Sequence, residues 1–177
     1  NVDLLNKRHQ VDKPNQIWAG DVTEIKIKDK KFYICIVMDL YARKIIAYTV
    51  GLSNSTQLTK RTIQKAVASR DYINGELIFH SDQGSNYTAN AFRMYLRDVG
   101  IVHSFSEVKD PYDNSVIERF NKSLKDEELY IKRYRSEKEF RTEIDKYMKF
   151  YNEKRPHETL NYLTPNQKEE RYYAGKK

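Results

Sequence analysis

A mixed α/β sheet with helical cover is the fold class this sequence predicts, and three observations predict it. Three β-branched and aromatic runs follow one another between residues 16 and 50, separated only by short polar turns, which is the pattern of an antiparallel meander. Helix-like and strand-like segments then alternate, an order that places further strands in the same sheet with helices on its faces. The 177 residues are 39% hydrophobic with a mean hydropathy of -0.84, enough apolar material for a core beneath a heavily charged surface.

The elements follow in chain order. Residues 1–12 show no period and read as a linker. The first strand is expected at 16–27, with a turn at Asp29-Lys30. The second strand runs Phe32–Met38 and the third Lys44–Val50, joined through Tyr41-Ala42-Arg43. Asn54 or Ser55 caps a helix that turns Leu58, Ile63, Ala66 and Val67 to one side. Glu76–His80 is a short apolar run suited to a strand buried on both faces. Phe92, Tyr95, Leu96 and Val99 have helical spacing, and Gly100 ends that helix. Ile101–Phe105 is the fifth strand, and Asp113-Asn114-Ser115 signals the next helix. Ser136 and Glu139 form a capping box for a last helix whose apolar face is Phe140, Ile144, Tyr147, Met148 and Tyr151. Pro156 and Pro165 break the tail. The expected organisation is a linker (1–12), a catalytic core (13–130), and a C-terminal helix and tail packed on that core (131–177).

Composition narrows the function classes. Lys and Arg number 32 against 25 Asp and Glu, a net charge of +7, which favours a polyanionic partner such as nucleic acid. Residues 1–125 hold 19 of the basic and 14 of the acidic side chains, so most of the excess surrounds the chemistry described next. No stretch reaches the length of a membrane span and no leader pattern opens the chain. One cysteine, Cys35, and four histidines give no disulfide framework and no zinc-ligand spacing, and Cys35 is expected in the core. A cytoplasmic location fits.

Three carboxylates stand out. Asp21 interrupts the first strand, Asp82 follows the apolar run of the fourth, and Glu118 lies on the helix after the fifth. Gly20, beside Asp21, marks a close backbone approach. If the first and fourth strands are neighbours, both aspartates can meet at one metal. Converging acids repel unless a divalent cation compensates them, and oxygen-only donors suit Mg2+ or Mn2+. Two such ions would serve an in-line displacement at phosphorus. Glu118, Asn121, Lys122 and Lys125 share one helix face, so the lysines can reach a phosphate backbone beside the reacting bond. Bland alternatives stand beside each. Asp21 could pair with a lysine at a sheet edge, Asp82 could be a turn residue, and Glu118 could cap its own helix from Ser115. Asp39, a fourth strand-borne acid, is expected to pair locally with Arg43 or Lys44 in a turn.

Asn15-Gln16-Ile17-Trp18 before Asp21-Val22-Thr23, His80-Ser81-Asp82-Gln83-Gly84-Ser85-Asn86-Tyr87, Asp110-Pro111-Tyr112-Asp113-Asn114 before Glu118-Arg119-Phe120 and Leu124-Lys125, and Tyr151-Asn152-Glu153-Lys154-Arg155-Pro156-His157 form one ordered set. Thirty-five residues separate Asp82 from Glu118. The set closely resembles the catalytic region of bacterial insertion-sequence transposases of the IS-three type, members of the retroviral-integrase superfamily, over about residues 13–170. Ile117, Arg119 and Asn121 depart from the residues common at those places. The resemblance implies a ribonuclease-H-like fold with a five-stranded mixed sheet, Asp21, Asp82 and Glu118 as ligands of two Mg2+ or Mn2+ ions, and Lys125 as a DNA contact. Lys122, Arg119, Asn114, Arg43 and Lys44 complete the expected DNA-binding set. It further implies cleavage of one strand at each element end, attack by the freed 3′-hydroxyl on another phosphodiester, and self-association in the active complex. The DNA-reading region of such transposases is not visible, so the chain reads as an isolated catalytic core or the product of a truncated reading frame. A retroviral-type integrase core, a catalytically silent DNA-binding or assembly module, and a junction or hybrid nuclease are the alternatives. The Tyr151–His157 tail and the lack of a zinc pattern favour the transposase.

Overall fold

The computed structural model describes residues 11–105 and 114–176. Most of the expected linker and the Asp110–Asp113 part of the third motif therefore lie outside the described residues. Five strands form one sheet: β1 (Ile17–Ile27), β2 (Lys30–Asp39), β3 (Lys44–Gly51), β4 (Ile78–Ser81) and β5 (Val102–Phe105). Their spatial order is β3-β2-β1-β4-β5. The first three form the antiparallel meander, and β4 and β5 join parallel to β1. The helices are α1 (Thr56–Ser69), α2 (Ser85–Thr88), α3 (Asn90–Asp98), α4 (Ser115–Leu124), α5 (Glu137–Glu153) and α6 (Pro165–Ala174).

Strand alternation divides the interior between two faces. Phe32, Ile34, Ile36 and Met38 of β2 turn to a core shared with Ile117, Phe120 and Leu124 of α4 and Phe140, Ile144, Tyr147, Met148 and Tyr151 of α5. Val37 turns the other way, with Trp18, to a core shared with Ile63 and Ala66 of α1 and Phe92 and Leu96 of α3. The sheet is thus the middle of three layers. The whole apolar face expected of the last helix is buried, so α5 belongs to the same core as the sheet. Cys35 is buried as expected.

Several expectations need correction. The first turn is Lys28-Asp29, with Lys28 in the left-handed region at φ 53°, and β2 starts a residue earlier than a turn at Asp29-Lys30 allows. β4 starts at Ile78 because Asn74-Gly75-Glu76 is a turn, closed by the Glu76 N–H donating to Ile73 O at 3.1 Å with Gly75 at φ 82°. Pro165 does not break the tail. It is the first residue of α6, where its missing N–H costs nothing, and Thr164 with Gln167 forms a complete capping box. At α5, Ser136 accepts from the Glu139 N–H, while the Glu139 carboxylate accepts from the Arg135 N–H, so only half of the expected box forms.

Asp39 is the largest correction. It is fully buried and pairs with neither Arg43 nor Lys44. Its carboxylate accepts from the backbone N–H groups of Asn15 (2.7 Å) and Tyr41 (2.9 Å) and lies 3.3 Å from Arg70 on the turn after α1. Arg70 also holds Glu169 of α6 at 2.6 Å and donates to Asn15, and Glu169 takes Lys44 at 3.2 Å. Burial raises the Asp39 pKa against the two N–H groups and Arg70. The network ties the start of β1, the end of β2, α1 and α6 together. An amide in place of this carboxylate would aim an NH2 at one of three donors. Asp39→Asn is therefore expected to lose about 2–3 kcal/mol in urea unfolding, and a loss below about 0.5 kcal/mol, typical of a surface site, would show that the network contributes little.

Candidate catalytic cleft

Asp21 reaches its place through two features of β1. It lies two residues beyond Ala19, which faces the α4–α5 core, so its side chain emerges on that face. β1 is also much longer than β4. The two run parallel in register as far as Gly20 beside Ser81, and the next step sets Asp21 alongside Asp82, just past the C-terminal end of β4. Gly20 faces the opposite side, where a β-carbon would overlap the ring of Phe79. The expected close approach is thus real, and its partner is an aromatic ring of the neighbouring strand.

Glu118 comes from α4, which Ile117, Phe120 and Leu124 pin to the sheet. The N-cap of α4 is Asn114, and its carbonyl accepts the Glu118 N–H at 3.0 Å. Glu118 therefore sits one position too far along to close a capping box, and its exposed carboxylate is directed elsewhere. Asp21 feels both of the other acids. Its carboxyl is pushed up to about 6, by burial first and then by repulsion from Asp82 and Glu118, against hydrogen bonds from the Val22 N–H and Asn121.

Asp21, Glu118, Asn121, Lys122 and Lys125 line one open cleft of about 500 Å³, so the expected helix face does meet the strand-borne acid. Among the described residues no three His, Cys, Asp or Glu side chains stand in a ready metal-holding group. Local hydrogen bonds engage two of the acids. The Asp82 Oδ1 accepts from the Gly84 N–H at 2.9 Å, and the Asp21 Oδ2 accepts from Asn121 Nδ2 at 2.7 Å. The donor chemistry nevertheless suits a hard cation: oxygen groups that repel one another, with the buried Asn121 Oδ1 left without a partner beside them.

The other expected DNA contacts separate. Lys122 and Arg119 are exposed and Lys125 is half-buried. Arg43 is half-buried at φ 54°, and its neighbours include Tyr151 and Arg119, with burial lowering its pKa. Lys44 pairs with Glu169 at 3.2 Å. Asn114 is buried. Sequence reasoning missed Asn121 as the partner of Asp21, although its i, i+3 spacing from Glu118 was the available signal. It also missed the five-residue π-turn Lys125–Leu129. That turn keeps Lys125, Asp126 and Tyr130 on the cleft side. Its other side is clamped: Glu127 takes Arg155 at 2.6 Å and the Tyr147 hydroxyl at 2.8 Å. Arg155 belongs to the Tyr151–His157 motif, which thus braces the cleft wall from behind.

Comparison with known proteins places the chain in a family. The Integrase core domain family matches residues 11–111, and a second Integrase core domain pattern matches 99–165. The chain is 34% identical to the transposase for insertion sequence element IS904 of Lactococcus lactis, over 92% of this chain and 64% of that protein. It is 32% identical to a 31 kDa protein of insertion element IS600 of Shigella sonnei, over 97% of this chain and 63% of that one. A transposase-like protein of Haemophilus influenzae is 32% identical over 92% of this chain and 74% of its own length. This chain therefore spans just under two thirds of the first two relatives. Among solved structures, the HTLV-2 integrase catalytic core in complex with magnesium superposes with a TM-score of 0.67 at 20% identity, over 89% of this chain and 97% of that one. The BIV integrase catalytic core gives 0.68 at 16%, over 92% and 98%. These likenesses establish the fold as ribonuclease-H-like. The chain belongs to the integrase core domain family, in the company of insertion-sequence transposases.

Proposed function

We propose that this chain is the catalytic core of a DNA transposase, which cuts one strand at element ends and joins the freed 3′-hydroxyl to another phosphodiester. The observation that carries the reading is the half-buried Asp21 carboxylate, repelled by Asp82 and Glu118, in a cleft walled by Lys122 and Lys125. Asp21, Asp82 and Glu118 would hold Mg2+ or Mn2+. When bound, the cations would supply activation of the attacking oxygen and stabilisation of the leaving one. The chain's own side chains supply the rest. Asn121 orients Asp21 by its amide hydrogen bond. Asp82 gives up its bond to the Gly84 N–H to turn toward Asp21. Lys122 and Lys125 take phosphates on the flank of the reacting bond, and Arg119 and Arg43 extend that positive surface along α4. Two DNA ends in one reaction call for self-association in the active complex.

Charge, more than shape, is what the triad supplies. Asp21→Asn, Asp82→Asn and Glu118→Gln should each lower metal-dependent nicking by roughly 1000-fold or more, equivalent to a few kcal/mol of barrier, with the circular dichroism spectrum unchanged. Wild-type nicking by any of the three would remove that residue from the mechanism.

Asp21 also makes stability depend on pH. Its folded pKa of about 6 lies above the ordinary carboxylate value, so the native state holds an extra proton between about pH 4 and 6. Stability contributed by this group is greatest at the acid end of that window and falls as pH rises through 6. Without divalent ions, Asp21→Asn should melt above wild type at pH 7.5, and the gap should close toward pH 4. A mutant that melts several degrees lower at pH 7.5 would contradict the repulsion inferred for the cleft.

For the lysines the readout is salt. Lys122→Ala and Lys125→Ala should weaken binding to all DNA sequences alike and lower the slope of log K against log salt by about 0.9 each. A sequence-selective loss with an unchanged slope would place them away from the phosphate backbone.

A further inference from the structure

Tyr130 is 65% exposed and Ile131 is 69% exposed, and Tyr130 lines the cleft that holds Asp21, Lys122 and Lys125. A large ring left in water on the wall of a charged cleft calls for a ligand with an apolar face. We propose that Tyr130 is a stacking platform for a nucleotide base left unpaired at a DNA end. This rests on the DNA-processing reading of the cleft and adds a base contact to the phosphate contacts of the lysines.

Two further features of the cleft support it beyond exposure. The first is placement: Tyr130 directly follows the π-turn that carries Lys125, and its N–H donates to the Lys125 carbonyl at 2.9 Å. Ring and ammonium group are thus set on one short piece of chain, the combination that single-strand binding surfaces use, with a cation for the phosphate and an aromatic face for the base. The second is rigidity. Glu127, within the same turn, is held by Arg155 and Tyr147, so the ring is presented from a fixed support and little ordering entropy is lost when a base docks. A base within an intact duplex offers no free face, so the partner must be a nucleotide already unstacked, as at a frayed or overhanging end next to the bond being cut.

The test compares two DNAs by fluorescence anisotropy without divalent metal: a duplex with a short single-stranded overhang, and a dumbbell of the same duplex closed at both ends by polyethylene glycol linkers that carry no bases. Tyr130→Ala is expected to weaken binding to the overhang duplex by roughly 5- to 100-fold, the range for loss of one stacked base, and to leave dumbbell binding and the salt slope unchanged. Tyr130→Phe and Tyr130→Trp should stay within about twofold of wild type, because the ring face and not the hydroxyl makes the contact. Tyr162→Ala, at an equally exposed tyrosine (71%) outside the cleft, should change neither. Equal losses on both DNAs, or no loss on the overhang, would overturn the stacking proposal while leaving the phosphate contacts standing. A wild-type protein that binds neither DNA would overturn the DNA reading and this proposal with it.

Discussion

The parallel pairing of β1 with β4 is the constraint on which the rest of the molecule depends. It requires a glycine at position 20, where the ring of Phe79 on β4 occupies the space a side chain would need. That fit fixes the register that runs through Gly20 and Ser81, and the register alone decides that Asp21 and Asp82 lie side by side. A slip of one residue would send Asp21 into the opposite core, among Trp18, Phe79 and Phe92. Asp21 is repelled by Asp82 and Glu118, and that repulsion is a cost that the fold carries in the absence of a cation.

The second wall of the cleft is built from the other end of the chain. α4 rests on the sheet through Ile117, Phe120 and Leu124, and α5 covers it with Tyr147 and Tyr151. The Arg155–Glu127 pair and the Tyr147 hydroxyl then hold the π-turn from its far side. This gives the Tyr151–His157 motif a physical role within the fold: it fixes the wall on which Lys125 and Tyr130 stand. Short π-segments cost hydrogen-bond quality and recur where a helix must present particular side chains. Here the extra residue lets Glu127 face the protein while Lys125 and Tyr130 face the cleft.

Much of this was legible in the sequence, for identifiable reasons. Strands and helices with strict periodicity, such as β2 and α5, announce themselves because burial acts on every second or every third to fourth residue. Gly20 was readable as a close approach because glycine inside a strand has few other uses. Asp39 keeps one local partner, the Tyr41 N–H, but its charge partner is Arg70 and not Arg43 or Lys44, because Asn15 and Arg70 are brought in by tertiary folding. Lys44 was misread with it, since Glu169 lies far along the chain. Pro165 alone reads as a breaker, but the threonine before it and the glutamine two residues after it carry the capping signal. The Asn121–Asp21 bond and the π-turn depend on how α4 meets β1, which no single segment encodes.

The most direct test of the central claim is anomalous scattering from crystals of the protein soaked in Mn2+. A manganese peak is expected between Asp21 and Asp82, with the Asp82 carboxylate turned away from the Gly84 N–H to reach it, and no such peak in Asp21→Asn. Manganese bound elsewhere on the protein, with Asp82 still bonded to Gly84 and the three carboxylates unoccupied, would contradict it.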